Sequence, residues 1–284
     1  MKKLLILACA LLLAGCSSSY NTKVTDSSTK IISDSKVSIT KQDFYEYLLD
    51  NYGAEEILNQ ALTAIADKEV TDQDKIDELL AERVALYDQY TDGGIEEYAK
   101  DMGYASVDEY KEIVLLPDVK QELLREKYIE ENYTDLLEEF NVCSIKKIVV
   151  EKESSALTII EKATDEEAFD KLMDTYSDDA EDLGIVNKNT TLDDNLEDKL
   201  ADIAKTEKDG VYSEAIKLSD DTYAVIFVYD CDKEANKDDY LSSLTSDSDI
   251  ITKVEGYYLD KYEFTVNEDK LKDAIKELSE DYID

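Results

Sequence analysis

The sequence predicts an α+β protein, with helices at both ends and a β-α-α-α-β-β stretch between them. Two observations predict it. Eight Gly and one Pro in 284 residues leave few tight turns, so helix should dominate. Helical apolar spacing fills most of both ends, whereas the main β-prone runs fall at 148–150, 211–218 and 223–229. A composition 43% hydrophobic and 35% charged suits a chain that buries a core. The length fits one large or two modest domains, by the soft prior of about 150 residues each.

The first element is a leader. Lys2 and Lys3 precede an apolar run from Leu4 to Leu13. That run is too short for a bilayer crossing, which needs about 20 residues. It ends in Leu13-Ala14-Gly15-Cys16, followed by Ser17-Ser18-Ser19. These residues resemble a bacterial lipobox. The resemblance implies cleavage before Cys16 and a diacylglycerol on its sulfur, two acyl chains that anchor stably where one is marginal. The bland alternative is an ordinary signal peptide, residues 1–15, with an incidental cysteine. Residues 16–37 are rich in Ser, Thr, Lys and Asp and read as a flexible tether.

Helices follow. Thr40 reads as an N-cap, with Phe44, Tyr47 and Leu48 at helical spacing. A second helix is expected over about 54–68, and a third, capped by Thr71, to about residue 90. Gly93-Gly94 ends that pattern, and a short helix follows to Met102. Ser106-Val107-Asp108-Glu109 is a capping box. Pro117 suits the first turn of the longest helix, expected to run to about residue 140. The character changes at Asn141. A short strand at 148–150 comes first, then helices over about 154–162 and 165–176, a loop, and a helix near 195–204. Strands at 211–218 and 223–229 are joined by Ser219-Asp220-Asp221-Thr222. From Lys237 the helical period returns through Leu278, interrupted by a short strand at 262–266.

The charge and the missing histidine exclude whole classes of chemistry. With no His there is no Ser-His-Asp or Cys-His nucleophile system and no His-ligated metal. A net charge of −38 excludes a nucleic-acid partner, because Lys and Arg must neutralise phosphate. Loss of the leader removes Lys2 and Lys3 and leaves 29 basic against 69 acidic side chains, a net −40. An anionic bilayer repels such a chain, so the lipid must supply attachment. The acidic stretch 193–198 lacks EF-hand spacing and reads as a solvated face rather than a Ca²⁺ site. No cofactor and no metal are expected.

The order of elements resembles the foldase lipoproteins of Gram-positive bacteria, the PrsA type, related to periplasmic SurA-type chaperones. The resemblance covers nearly the whole mature chain. Ser38-Ile39-Thr40-Lys41-Gln42-Asp43-Phe44-Tyr45, then Tyr52-Gly53, resemble the N-terminal part of that family's chaperone lobe. Residues 254–261, 262–266 and 269–275 resemble its C-terminal part. The resemblance implies a discontinuous, mainly helical lobe (38–141 and 233–284) with an inserted parvulin-like antiparallel-sheet domain (142–232).

Within that insert the polar positions depart from the family. Ser144-Ile145-Lys146-Lys147-Ile148-Val149 stands for Ala-Ser-His-Ile-Leu-Val, with Lys146 at the first histidine. Tyr176-Ser177-Asp178-Asp179 matches Tyr-Ser-x-Asp and makes Asp179 the catalytic candidate. Asp182-Leu183-Gly184 remains of Gly-Gly-Asp-Leu-Gly. Leu192 and Leu196 replace the proline-binding Met and Phe, and Leu183 and Tyr223 complete the expected substrate-binding set. Val211-Tyr212-Ser213-Glu214 matches the family's Glu-Ile-Ser-Glu strand. Thr222-Tyr223-Ala224-Val225 stands for Gly-Tyr-His-Ile, so Ala224 takes the second histidine.

Amide resonance sets a barrier of about 18–20 kcal/mol for prolyl isomerisation. The family lowers it beside a small histidine network that Lys146, a donor without an acceptor, and Ala224 cannot form. Isomerase activity is therefore expected to be weak or absent. The open alternative is an active isomerase working through pocket shape alone, since no net charge builds in the transition state.

The remaining function that the resemblance implies is a chaperone at the outer face of the cytoplasmic membrane. It would hold unfolded or partly folded exported polypeptides and attach to the membrane through the lipid on Cys16; a homodimer is compatible with this reading. Twenty Tyr and no Trp suit adaptable amphipathic contact, although core packing accounts for most of them equally well. A binding module for a single partner is a further alternative. Finally, the parvulin fold would bring Cys143 and Cys231 to one edge, which implies a Cys143–Cys231 disulfide; unpaired thiols are the alternative.

Overall fold

The computed structural model describes residues 22–33, 37–176 and 179–283. The leader, Cys16 and the first part of the tether lie outside the described residues, as do Ser177 and Asp178. The chain divides into two compact units. One joins the residues up to Arg125 with those from Thr252 on, and the other is Glu126–Ile251. The fold is α+β, mostly helical with one small antiparallel sheet in the second unit.

In the first unit the expected tether is built into structure. Strand β1 (Lys30–Ser33) pairs antiparallel with β2 (Ser38–Thr40). The Thr22 N–H and hydroxyl donate to the Glu268 carboxylate. Thr40 then caps helix α1 (Lys41–Glu69) in a full capping box, its hydroxyl accepting from the Asp43 N–H at 3.2 Å while Asp43 accepts from the Thr40 N–H at 2.7 Å.

Helix α1 runs unbroken where two helices were expected. Gly53 lies within it and is buried. A Cβ there would stand 2.8 Å from Leu271 Cδ2, on α12 (Asp269–Leu278). The spacing of Leu58, Leu62, Ile65 and Ala66 then buries one face of α1.

Helix α2 (Gln73–Tyr90) is capped by Asp72 rather than Thr71, and α3 (Gly94–Asp101) is capped by Gly93 at φ 78° and opens on Gly94 at φ 67°. Helix α4 (Val107–Tyr110) starts at Ser106. The Glu109 carboxylate accepts from the Ala105 N–H at 2.6 Å, one residue before the cap. A single π-helical turn, Lys111–Leu115, leads into α5 (Leu116–Glu131). Pro117 has no N–H to bond back, and its ring crowds the carbonyl four residues earlier, which is where the helix widens.

The expected long helix to residue 140 is two. The Asn132 side chain donates to the Tyr128 carbonyl at 2.8 Å, and the chain turns before α6 (Tyr133–Glu139). No strand forms at 262–266. Glu263 takes φ 53° in a turn there, and that segment pairs with no strand among the described residues.

The second unit is built on β3 (Cys143–Val150). Its sheet runs β4 (Ala180–Val186), β3, β7 (Tyr223–Tyr229), β5 (Gly210–Val211), with β6 (Ile216–Lys217) also on β7. All pairs are antiparallel. Helices α7 (Glu153–Lys162) and α8 (Glu166–Thr175) cover one face. Helix α9 (Asp194–Ile203) covers the other. Helix α10 (Lys237–Ser246) and the start of α11 (Ser248–Lys261) complete the unit. Strand β4 occupies what the sequence suggested was a loop, because its first residues are acidic and exposed.

Candidate functional site

Directly paired residues of an antiparallel sheet share a face, and successive residues alternate. The β3–β7 register places Ile145 opposite Val228, Lys147 opposite Ile226 and Val149 opposite Ala224. Lys146, Ile148 and Val150 pair with Phe227, Val225 and Tyr223 on the other face. The expected site residues are thereby divided. Ala224 shares its face with Leu183, Leu192 and Leu196, which pack around one cluster with Leu200, Ile203 and Val186. Lys146 and Tyr223 belong to the opposite face.

Lys146 is therefore not the residue beside Ala224. Its ammonium donates to Glu166 Oε1 at 2.8 Å and Asp170 Oδ1 at 2.7 Å, both on α8, and lies 5.2 Å from the Tyr229 ring centroid. Burial pulls its pKa down, and the hydrogen bonds to Asp170 and Glu166 outweigh that and hold it above the usual lysine value. Lys146 thus ties α8 to the sheet. The cation on the Ala224 face is Lys147, half-buried and 3.2 Å from Glu181 Oε2. The sequence carried the signal for this, since strand alternation separates two adjacent lysines.

Asp179 stands at the entry to β4. Its carbonyl accepts from the Val149 N–H at 2.7 Å and its N–H donates to the Tyr176 carbonyl at 2.9 Å. The backbone row Asp179, Val149, Ala224 thus crosses three strands' width, and Asp179 is exposed. Leu183 is the extra residue of a β-bulge, between Asp182 opposite Lys146 and Gly184 opposite Ile145, with Gly184 at φ 65°.

The two leucines expected to line a proline pocket differ in kind. Leu192 is half-buried, whereas Leu196 is 1% exposed and sealed beneath the sheet against the fully buried Ala224. Leu196 is core. Leu200 and Ile203, also on α9, are buried beside it.

The two described cysteines are free thiols, in place of the bridge that the resemblance implied. Cys143 lies in the same apolar cluster that Cys231 packs against. Burial pushes the Cys143 thiol up to about 12. Burial, with a hydrogen bond to Asp209, pushes Cys231 to about 12 as well. Both stay protonated and poorly nucleophilic at neutral pH. Cys231 opens onto a cleft of about 850 Å³ lined by Tyr133, Leu137, Ala204 and Lys233 among others. The Lys233 ammonium donates to the Val142 carbonyl at 2.7 Å, and burial lowers its pKa. Among the described residues no group of three or more Cys, Asp or Glu side chains could hold a metal ion. No helix among them is long and apolar enough to cross a membrane.

These features define an α+β protein in which a helical unit is formed by the two ends of the chain and a small sheet unit is inserted between them. No family model and no curated protein matches the chain. Solved structures to which it is similar include the peptidylprolyl isomerase PrsA of Bacillus cereus, at 22% identity over 89% of this chain and 99% of that one, TM-score 0.48. PrsA of Bacillus subtilis is 22% identical over 88% and 99%, TM-score 0.41. The foldase protein PrsA of Streptococcus pneumoniae is 17% identical over 89% and 99%, TM-score 0.39.

Proposed function

We propose that the protein is a foldase or chaperone at the outer face of the cytoplasmic membrane, held by a lipid on Cys16, whose parvulin-like segment (142–232) has little or no prolyl isomerase activity. The reading rests on the sequence resemblance carried by residues 38–53, 144–149, 176–184, 211–214, 222–225 and 254–275. One observation supports the loss of catalysis above the rest. The row Asp179, Val149, Ala224 has one polar side chain, and Lys147 beside it is engaged with Glu181. Within that row Val149 and Ala224 offer the Asp179 carboxylate no hydrogen-bonding side chain. What remains is the binding of extended chains, which needs apolar surface open to solvent.

Two measurements test it. A protease-coupled assay on a short Xaa-Pro peptide should show no catalysis above background; catalysis lost on Asp179→Ala would overturn the inactive reading. Aggregation of an unfolded client should be suppressed by the mature protein, and absence of suppression at several-fold excess would overturn the chaperone reading.

A further inference from the structure

Half of the exposed large apolar side chains among the described residues fall in one short stretch of the first unit. They are Ile31, Ile32, Val37, Phe44, Tyr47, Leu48 and Tyr52, of fourteen in all. Ile31, Ile32, Phe44 and Tyr52 are 52%, 55%, 49% and 57% exposed. The hairpin is fixed beside the start of α1. The Thr29 carbonyl accepts from the Lys41 N–H at 2.8 Å, and the Ser27 carbonyl from the Gln42 N–H at 3.1 Å.

At 3.6 residues per turn, Phe44, Tyr47 and Leu48 lie in line with Leu58, Leu62, Ile65 and Ala66. Asn51 and Glu55 interrupt that line, so this side of α1 carries two apolar patches. The later one is buried, and Phe44, Tyr47 and Leu48 of the earlier one are exposed. An apolar face left open over this length is a binding surface unless something covers it.

The chemistry of the occupant follows from charge. Between Lys41 and Glu56 the helix has one basic side chain and five acidic ones: Asp43, Glu46, Asp50, Glu55 and Glu56. Glu55 continues the line of Phe44 and Leu48 and Glu56 lies at its edge, while Asp43 is held in the Thr40 capping box and Asp50 in a bridge to Lys270. The mature chain as a whole carries a net −40. A second copy would bring the same charge to the same place and be repelled. The chain's own residues 17–21, Ser-Ser-Ser-Tyr-Asn, have one apolar ring to offer.

We propose that the β1–β2 hairpin and the first turns of α1 form a docking face for segments of other polypeptides in which apolar residues are interspersed with Lys or Arg. The apolar side chains settle on Ile31, Ile32, Phe44, Tyr47, Leu48 and Tyr52, and the cations meet the carboxylates at the border. The proposal rests on the chaperone reading and gives it a place and a preference. Acidic segments of equal hydrophobicity are rejected by like charge.

The test uses the purified full chain and two short fluorescein-labelled peptides with identical Leu and Phe positions, one carrying Lys between them and the other Glu. Anisotropy titration should show the Lys peptide binding roughly tenfold or more tightly than the Glu peptide, with the preference shrinking as salt is added. Phe44→Ser/Tyr47→Ser/Leu48→Ser should abolish binding and lower the urea midpoint only modestly, since the three side chains are 49%, 38% and 40% exposed. Ile31→Ser/Ile32→Ser in the hairpin provides a second variant should the first not fold. Leu157→Ser, exposed in the other unit, should bind as the wild type does.

Equal affinity for the two peptides, or undiminished binding by both serine variants, would overturn the proposal. So would sedimentation showing a dimer that the serine variants dissociate, because the occupant would then be a second copy. Client aggregation separates the two readings. If the wild type and the serine variants suppress it equally, the docking face is wrong and the chaperone reading stands. If peptide binding behaves as expected and no client is protected, the face stands and the chaperone reading falls.

Discussion

Lys146 and Ala224 lie on opposite faces of the same sheet: Lys146 pairs with Phe227, on the side of α8, and Ala224 with Val149, on the side of α9. A site that used both would have to reach through the strands. The residue that shares Ala224's face is Lys147, one position on. The two lysines are neighbours in sequence and have different physical tasks.

Stability separates them. Lys146→Ala removes a nearly buried cation that bonds Glu166 and Asp170, and should cost on the order of 1–3 kcal/mol, the range for hydrogen bonds to charged groups. Lys147→Ala breaks one bridge to an exposed Glu181 and should cost less than about 1 kcal/mol. Urea unfolding of the two variants at neutral pH measures both, and equal losses would contradict the assignment.

Leu196 should behave as core. Leu196→Ala opens a cavity beneath the sheet, at about 2–5 kcal/mol. Leu192→Ala, at a half-buried position, should cost clearly less. Thermal unfolding decides it; a Leu196→Ala protein as stable as the wild type would return that side chain to a ligand-contacting role.

Alkali should unfold the protein. Tyr133, Tyr240 and Tyr282 are pushed up to about 12 in the folded chain from an ordinary 10.0, in each case chiefly by burial. Between pH 10 and 12 the unfolded chain loses these protons while the folded one keeps them. The native state then binds more protons, so stability falls as pH rises through this window and is fully present below it. Lys146, also raised, acts in the same direction. Urea midpoints should be flat near neutral pH, begin to fall around pH 9 as the two thiols, raised from 9.0 to about 12, come into play, and drop more steeply above about 10; Tyr240→Phe should shallow the steeper part.

The thiols should be slow and ranked. At mildly alkaline pH both are protonated, and Cys143 is buried while Cys231 is partly open. A chromogenic disulfide reagent should titrate Cys231 slowly and Cys143 only on unfolding. Two immediate equivalents would contradict the burial, and none even in denaturant would mean that a disulfide had formed.

Much of this was legible in the sequence. Thr40 and Ser106 announced their helices because a cap is a local hydrogen bond between residues three apart. Strand β7 was readable without any alternation of apolar and polar residues, since the unbroken apolar run of Tyr223–Tyr229 already marks a strand buried on both faces. Helix α9 was readable from the spacing of Leu196, Leu200 and Ile203. Strand β4 was not, because its acidic first half gains its structure only by pairing with β3.

What the sequence by itself determined is therefore what neighbours along the chain can settle: helical ends around a β-containing middle, the caps at Thr40 and Ser106, the apolar run of β7, and the absence of any histidine. Tertiary structure alone decided the rest. Gly53 is buried inside a continuous helix, close against Leu271 from far along the chain. Lys146 rather than Lys147 points toward α8 because the β3–β7 register fixes which residues share a face, and a shift of one residue would turn every side chain over. The first turns of α1 stay open because the partners that bury its later turns do not extend over them.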